Sequence, residues 1–256
     1  MELIRCIQAE WLKRRHSLAS WLVIVGGFFT SVILIIAKLV HYDKLAEANK
    51  QPGFWRQHWL NSWESMAILL LPLGIILAVS LITQLEFRNN CWKQWHTTPQ
   101  HFTTMYFSKL LVLIFMLLQL FFFLNIGIYL SAVLPGLFVK GTSYPAAEIP
   151  FSLFAKQNLI FFITSLPVVS LQFLAGLQFK NFMVSLGCGI TLWIASIALL
   201  TWKYSYILPY SYSSLYFFNI AGRFKHQINF SYWSLGWFFL FTVAGYILYI
   251  TKKEKG

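Results

Sequence analysis

The sequence predicts an all-α polytopic membrane protein: six transmembrane helices and an N-terminal amphipathic helix at the interface. Three observations carry that expectation. Only 11% of the 256 residues are charged and 58% are hydrophobic, whereas a soluble domain carries roughly 25% charged residues. Mean hydropathy is +0.62. Six apolar runs, at about residues 21–40, 65–85, 111–134, 158–179, 182–202 and 233–250, are each long enough to cross a bilayer core, which takes about 20 helical residues. The whole chain, 1–256, reads as a single transmembrane domain with no soluble module and no recognisable repeat.

The segment 1–17 precedes the first run. Leu3, Ile4, Ile7 and Trp11 recur at helical spacing there, while Glu2, Arg5, Glu10, Lys13 and Arg14 fall elsewhere around the helix. That pattern describes an amphipathic helix lying at the inner membrane surface. The alternative is a plain basic anchor. The first run is longer than a signal-peptide core and no small-residue cleavage site follows it, so it reads as a retained helix.

The second and fourth runs hold Pro72 and Pro167, expected to kink their helices. The fourth and fifth are separated only by a short turn near Lys180 and Asn181 and predict a tight helical hairpin. Residues 203–232 are too apolar and aromatic for an ordinary solvated loop. Either they re-enter the protein as a short helical pair, or they form an aromatic belt at the headgroup level. Scattered small and polar residues in the runs, such as Ser31, Gln119, Asn125, Gln172 and Gly189, predict close helix packing and bonds between helices. Lining of a substrate path is the other use.

The formal charge is +12. Its basic residues flank apolar runs, so the partner it implies is the lipid headgroup layer, with no role for nucleic acid. The "KRRH" segment abuts the first run and "TKKEKG" follows the last. Both termini are therefore expected in the cytoplasm, in a bacterial inner membrane. Cys6, Cys91 and Cys188 match no metal spacing.

Several function classes lack their chemistry. All six histidines (His16, His41, His58, His96, His101 and His226) fall outside the expected spans, and the only aspartate, Asp43, is in an outer loop. Intramembrane ionisable groups mark proton relays and catalysis. Proton-coupled transport and intramembrane proteolysis are disfavoured accordingly, since no buried histidine is expected. There is no H-E-x-x-H and no G-x-x-x-x-G-K-[ST]. The chain is expected neither to be an enzyme by itself nor to bind a cofactor directly.

One stretch stands out. "QLEFRNNCWKQWHTTPQHFTTMYFSKL" joins the second and third runs and is far longer than a turn needs. Residues 86–110 form a cytoplasmic loop with room for two short helices, the second starting at Pro99. Trp92, Trp95 and Phe102 are expected at the interface, and Arg88, Lys93 and Lys109 at headgroups or a partner. An interfacial loop with no partner is the plain alternative.

Here the chain resembles the membrane subunit of ABC-2 type exporters. The residues that carry the resemblance are Glu86, the patch "RNNCWKQWHTT", Pro99 and "SKLL" with Lys109, together with the opening "AEWLKRRHSLASWLV". The nearest group is the lantibiotic-immunity and bacitracin-type permeases, although Asn89–Trp92 stand where most members have glycine or threonine. The resemblance implies an ABC-2 type exporter fold. It also implies that Glu86, Arg88, Trp92, Lys93, Trp95, Pro99 and Lys109 couple to a cytoplasmic ATPase subunit that binds ATP and Mg. Ile7, Trp11, Lys13 and Arg14 become the interfacial helix. A second permease copy, or a related permease, would complete the path for an amphiphile such as an antimicrobial peptide, lipid or drug. The rival readings are a secondary transporter or channel working without ATP, and an interaction subunit without transport.

Overall fold

A computed structural model describes residues 2–15, 17–42, 47, 49–88, 101–139, 144–179, 181–223 and 228–251; the side chains of 86–88 are outside that description. Every regular element in it is helical. In chain order they are α1 (Glu2–Arg14), α2 (Leu18–Val40), α3 (Phe54–Ser65), a π-helical turn (Met66–Leu70), α4 (Leu71–Arg88), α5 (Phe102–Phe138), α6 (Phe151–Gln178), α7 (Phe182–Ala198), two 3₁₀ turns (Ser205–Ile207 and Pro209–Ser211), α8 (Tyr212–Ile220) and α9 (Phe230–Thr251). Five stretches are long and apolar enough to cross a membrane: α2, α3 through α4, α5, α6 and α9. The shorter apolar α7, at 17 residues, supplies the sixth. It is about 25 Å long, at the lower limit for a span.

Burial orders the bundle. In α6, 67% of the most apolar stretch is enclosed, against 22% in α2 and 17% in α9. Thus α6 is the hub, and α2 and α9 form outer walls. α2 lies against α5 along a seam of small residues. A Cβ on Gly27 would come within 3.3 Å of the α5 backbone, and Gly127 faces Ser31 in the same way. Small residues let spans approach closely, which is how helices associate where no hydrophobic force separates them from lipid.

The second span begins far earlier than its apolar run. Gly53 caps α3, and Phe54–Leu85 forms 32 helical residues, about 48 Å of helix. The extension looked like a polar loop because Arg56, Gln57 and Asn61 dilute it. Its other face carries Trp55, Trp59 and Trp63, spaced four apart and buried. Trp63 stacks on Phe161 of α6 at 3.9 Å. On the same helix, one residue before Trp59, His58 is 4% exposed. Its Nε2 lies 3.0 Å from both Ile128 O and Ser131 Oγ. The expectation that no histidine is buried is therefore wrong. A helical stripe of tryptophans carried His58 inward with it.

Proline shapes the junction between α3 and α4. Pro72 has no N–H to give Ile68 O, the partner an uninterrupted helix would use. The helix widens instead, and Leu71 N–H donates to Met66 O. Two freed carbonyls are claimed from elsewhere. Trp193 Nε1–H of α7 donates to Ile68 O at 3.2 Å. Ser213 Oγ–H of α8 donates to Ala67 O at 2.9 Å.

Residues 203–223 pack into the end of the bundle farthest from α1. Tyr210, Tyr212, Leu215 and Phe217 are all buried. There is one α-helix here, not two. It ends at Gly222, whose φ of 74° suits a residue without Cβ. Arg223 N–H donates to Phe218 O at 2.9 Å and Gly222 N–H to Asn219 O at 3.2 Å, the paired bonds of a glycine C-cap. A buried knot ties this cap to the spans. Gln172 of α6 donates to Ser80 Oγ of α4 at 2.8 Å and to Ser185 O of α7 at 2.9 Å, and accepts from Tyr210 O–H at 3.0 Å. Here a polar residue within a span serves packing between helices.

Candidate functional site: the junction of α1 with α5

The elements nearest the loop 86–110 converge on the first turns of α5. His101 is extended, and α5 starts at Phe102. The expected helix start at Pro99 lies outside the described residues, as do Trp92, Lys93 and Trp95. Glu86 and Arg88 sit in the last turn of α4; their side chains are likewise outside.

Lys109 is described, and it is not at the surface. Its side chain is 3% exposed, and Nζ lies 2.9 Å from Glu10 Oε1 of α1. The same carboxylate accepts from Lys13 Nζ at 2.7 Å. Burial pushes the Glu10 pKa up, but Lys109 and then Lys13 outweigh it and hold it below the usual carboxylate range. Expected at headgroups or a partner, Lys109 instead fastens one element of the chain to another. An ammonium this deep needs a counter-charge, and α1 provides it.

One turn further, Arg14 is 6% exposed. Its guanidinium lies 3.5 Å from the Trp11 ring centroid, and Nη2–H donates to Gln119 Oε1 of α5 at 2.6 Å. Trp11 meets Phe115 edge-on at 6.4 Å. The Arg14 carbonyl accepts from Ser20 Oγ at 2.8 Å, and Ser17 caps α2. Thus α1 and the first turn of α2 are joined by local bonds through Ser17 and Ser20. Burial lowers the Arg14 pKa, yet a guanidinium stays charged.

The face that α1 turns to the bundle is not its apolar stripe, which was expected at the membrane surface. Cys6, Glu10 and Arg14, spaced four apart, point inward, with Ile7 and Trp11 half-buried at the edge. Leu3 and Ile4 are exposed, at 41% and 62%. Lys13 is outside the contact except through Glu10. Sequence reasoning missed Glu10 as a partner. The available signal was that Glu2 and Glu10 are the only acids in residues 1–17, and that Lys109 stands near the head of a long apolar helix. No group of residues suited to a metal ion occurs among the described residues.

This arrangement is mechanical rather than chemical. It holds a stiff corner where α1 and α5 are joined by a buried ion pair and a buried arginine. The family model for ABC-2 family transporter proteins matches residues 6–196, from α1 through α7. The chain belongs to the ABC-2 transporter family. No curated protein and no solved structure gives a match. As an ABC-2 permease the chain is a multi-pass membrane component of a transporter and not itself the catalyst; permeases of this family generally work with an ABC ATPase. The matched region includes both Glu10 and Lys109.

Proposed function

We propose that this ABC-2 permease is the membrane subunit of an exporter, driven by a separate cytoplasmic ATPase subunit that binds ATP and Mg. The observation that carries the reading is the buried Glu10–Lys109 pair. Residues 86–110 run from the last turn of α4 into the first turns of α5, so a push on that segment reaches both helices covalently. The ion pair extends the push to α1, and the capped turn at Ser17 extends it to α2. A bistable packed interface transmits such motion because cores do not deform gradually. Glu86, Arg88, Trp92, Lys93, Trp95 and Pro99 form the contact surface in this reading. Lys109 is a positioning residue behind it.

The substrate in this reading is an amphiphile, such as an antimicrobial peptide, lipid or drug, leaving a bacterial inner membrane. The lantibiotic-immunity and bacitracin-type permeases are the group it resembles most. Both termini are cytoplasmic, and a second copy or a related permease completes the path. Spans rich in aromatic and poor in acidic residues suit such a cargo better than an ion. Co-expression with a candidate ABC ATPase subunit, followed by reconstitution in vesicles, tests this. A complex that moves amphiphile only with hydrolysable ATP supports it. Export that persists without an ATPase overturns it.

A further inference from the structure

The end of α9 farthest from α1 carries an apolar groove. Tyr232, Trp233, Gly236, Trp237 and Leu240 line it, and its volume is about 450 Å³, within the roughly 300–1,000 Å³ of ligand sites. These residues form one stripe of the helix. A Cβ on Gly236 would meet nothing within 4 Å, so the groove owes its depth to the missing side chain. Its back is fixed. Trp237 packs on the buried cluster of Leu200, Tyr212, Leu215 and Phe230 and stacks on Phe241 at 5.1 Å.

The surroundings indicate the occupant. α9 is the least enclosed of the long spans, so its outer face meets lipid. From Trp233 a ladder of rings leads away: Tyr206 at 5.2 Å, then Tyr204 at 6.2 Å, then Trp202 at 5.5 Å. Such rings favour the headgroup level. Lys203 is exposed beside them, its Nζ 5.7 Å from the Tyr204 ring centroid. Arg223, also at this end, is paired with Glu64 at 2.6 Å. Lys203 has no acidic partner among the described residues. An apolar groove, a headgroup-level ladder and a lone cation are what an anionic amphiphile requires.

We propose that the groove and Lys203 bind an anionic phospholipid, its acyl chain along Gly236 and its phosphate at Lys203. The assignment to the outer leaflet rests on the orientation proposed above; the chemistry does not. A lipid held there braces the 3₁₀ turns against α9.

Native mass spectrometry of the detergent-purified chain, given equimolar phosphatidylglycerol and phosphatidylcholine, tests it. Wild-type protein is expected to retain phosphatidylglycerol about fivefold better, the preference one lysine near the surface confers. Lys203→Gln should abolish the preference and Lys203→Arg should keep it. Gly236→Leu should reduce retention of both lipids. Equal retention by wild type, or an unchanged preference in Lys203→Gln, overturns the proposal. Lys203 is a surface residue, so that arm survives if Gly236→Leu does not fold. The readout involves neither ATP nor export, so failure of the transport reading would leave it intact.

Discussion

Trp193 donates its indole N–H to the carbonyl of Ile68 at 3.2 Å, the acceptor left open by Pro72 four residues on. A proline in the second span thus creates the bond that fastens the fifth. Irregular backbone inside a membrane protein persists only where neighbouring groups satisfy it.

Replacing Trp193 with Phe keeps the ring and removes the donor. The Ile68 carbonyl then has no partner, at a cost of about 1–3 kcal/mol. Thermal unfolding in detergent should show a lowered midpoint. Ser213→Ala should act in the same direction through Ala67 O. Unchanged midpoints in both would mean that water or another group satisfies these carbonyls.

The knot around Gln172 makes a sharper case. Gln172→Leu leaves Ser80, Ser185 and Tyr210 without their shared partner, and each loses a buried bond worth about 1 kcal/mol. Tyr210→Phe removes only the bond to Oε1. The double variant should cost less than the two single changes added together, because the residues share one network. Strict additivity would show that they are not coupled.

The seam between α2 and α5 tolerates no bulk. Gly27→Leu drives a side chain into Phe123 Cβ, 2.7 Å from the position a Cβ would take. Overpacking costs about 1–3 kcal/mol. Gly187→Leu, at an exposed position where a Cβ would meet nothing within 4 Å, serves as the control. Expression and monodispersity should fall for Gly27→Leu alone.

Glu10 gives a pH signature. Its folded pKa is depressed, so the stability it contributes is present above its unfolded value, about 4.3. That contribution is lost as pH falls through the lower folded value. The unfolding midpoint should be steady at neutral pH and drop below about pH 4. In Glu10→Gln the drop attributable to this group should be absent. The comparison of the two curves is the check.

Much of the fold was legible because about twenty apolar residues in a row permit little besides a span. What was missed has definite causes. The outward extension of span two was hidden because His58 and Arg56 lower the average while Trp55, Trp59 and Trp63 alone mark the buried face. Residues 203–223 were legible as apolar, but a single capped helix depends on Gly222 and on carbonyls supplied by a distant π turn. At the site, Lys109 was singled out, but its partner was not. Glu10 is 99 positions away, and helical periodicity reports nothing about contacts over that distance. The apolar stripe on α1 leaves Leu3 and Ile4 exposed, while a second, charged stripe, Glu10 with Arg14, meets α5. Hydrophobic patterning cannot reveal a buried face built from ion pairs.

The central claim is that α1 and α5 move as one piece when the ATPase acts. Neutralising one partner should be costly, about 3–5 kcal/mol for a broken buried pair. The apolar pair Glu10→Leu with Lys109→Met should recover most of that stability.

The most direct measurement is ATP-driven export by vesicles containing the ATPase complex of Glu10→Gln, normalised to ATP hydrolysed. The account predicts that the complex assembles and hydrolyses ATP, while amphiphile moved per ATP falls at least severalfold. Export per ATP equal to wild type, with the complex intact, would contradict it.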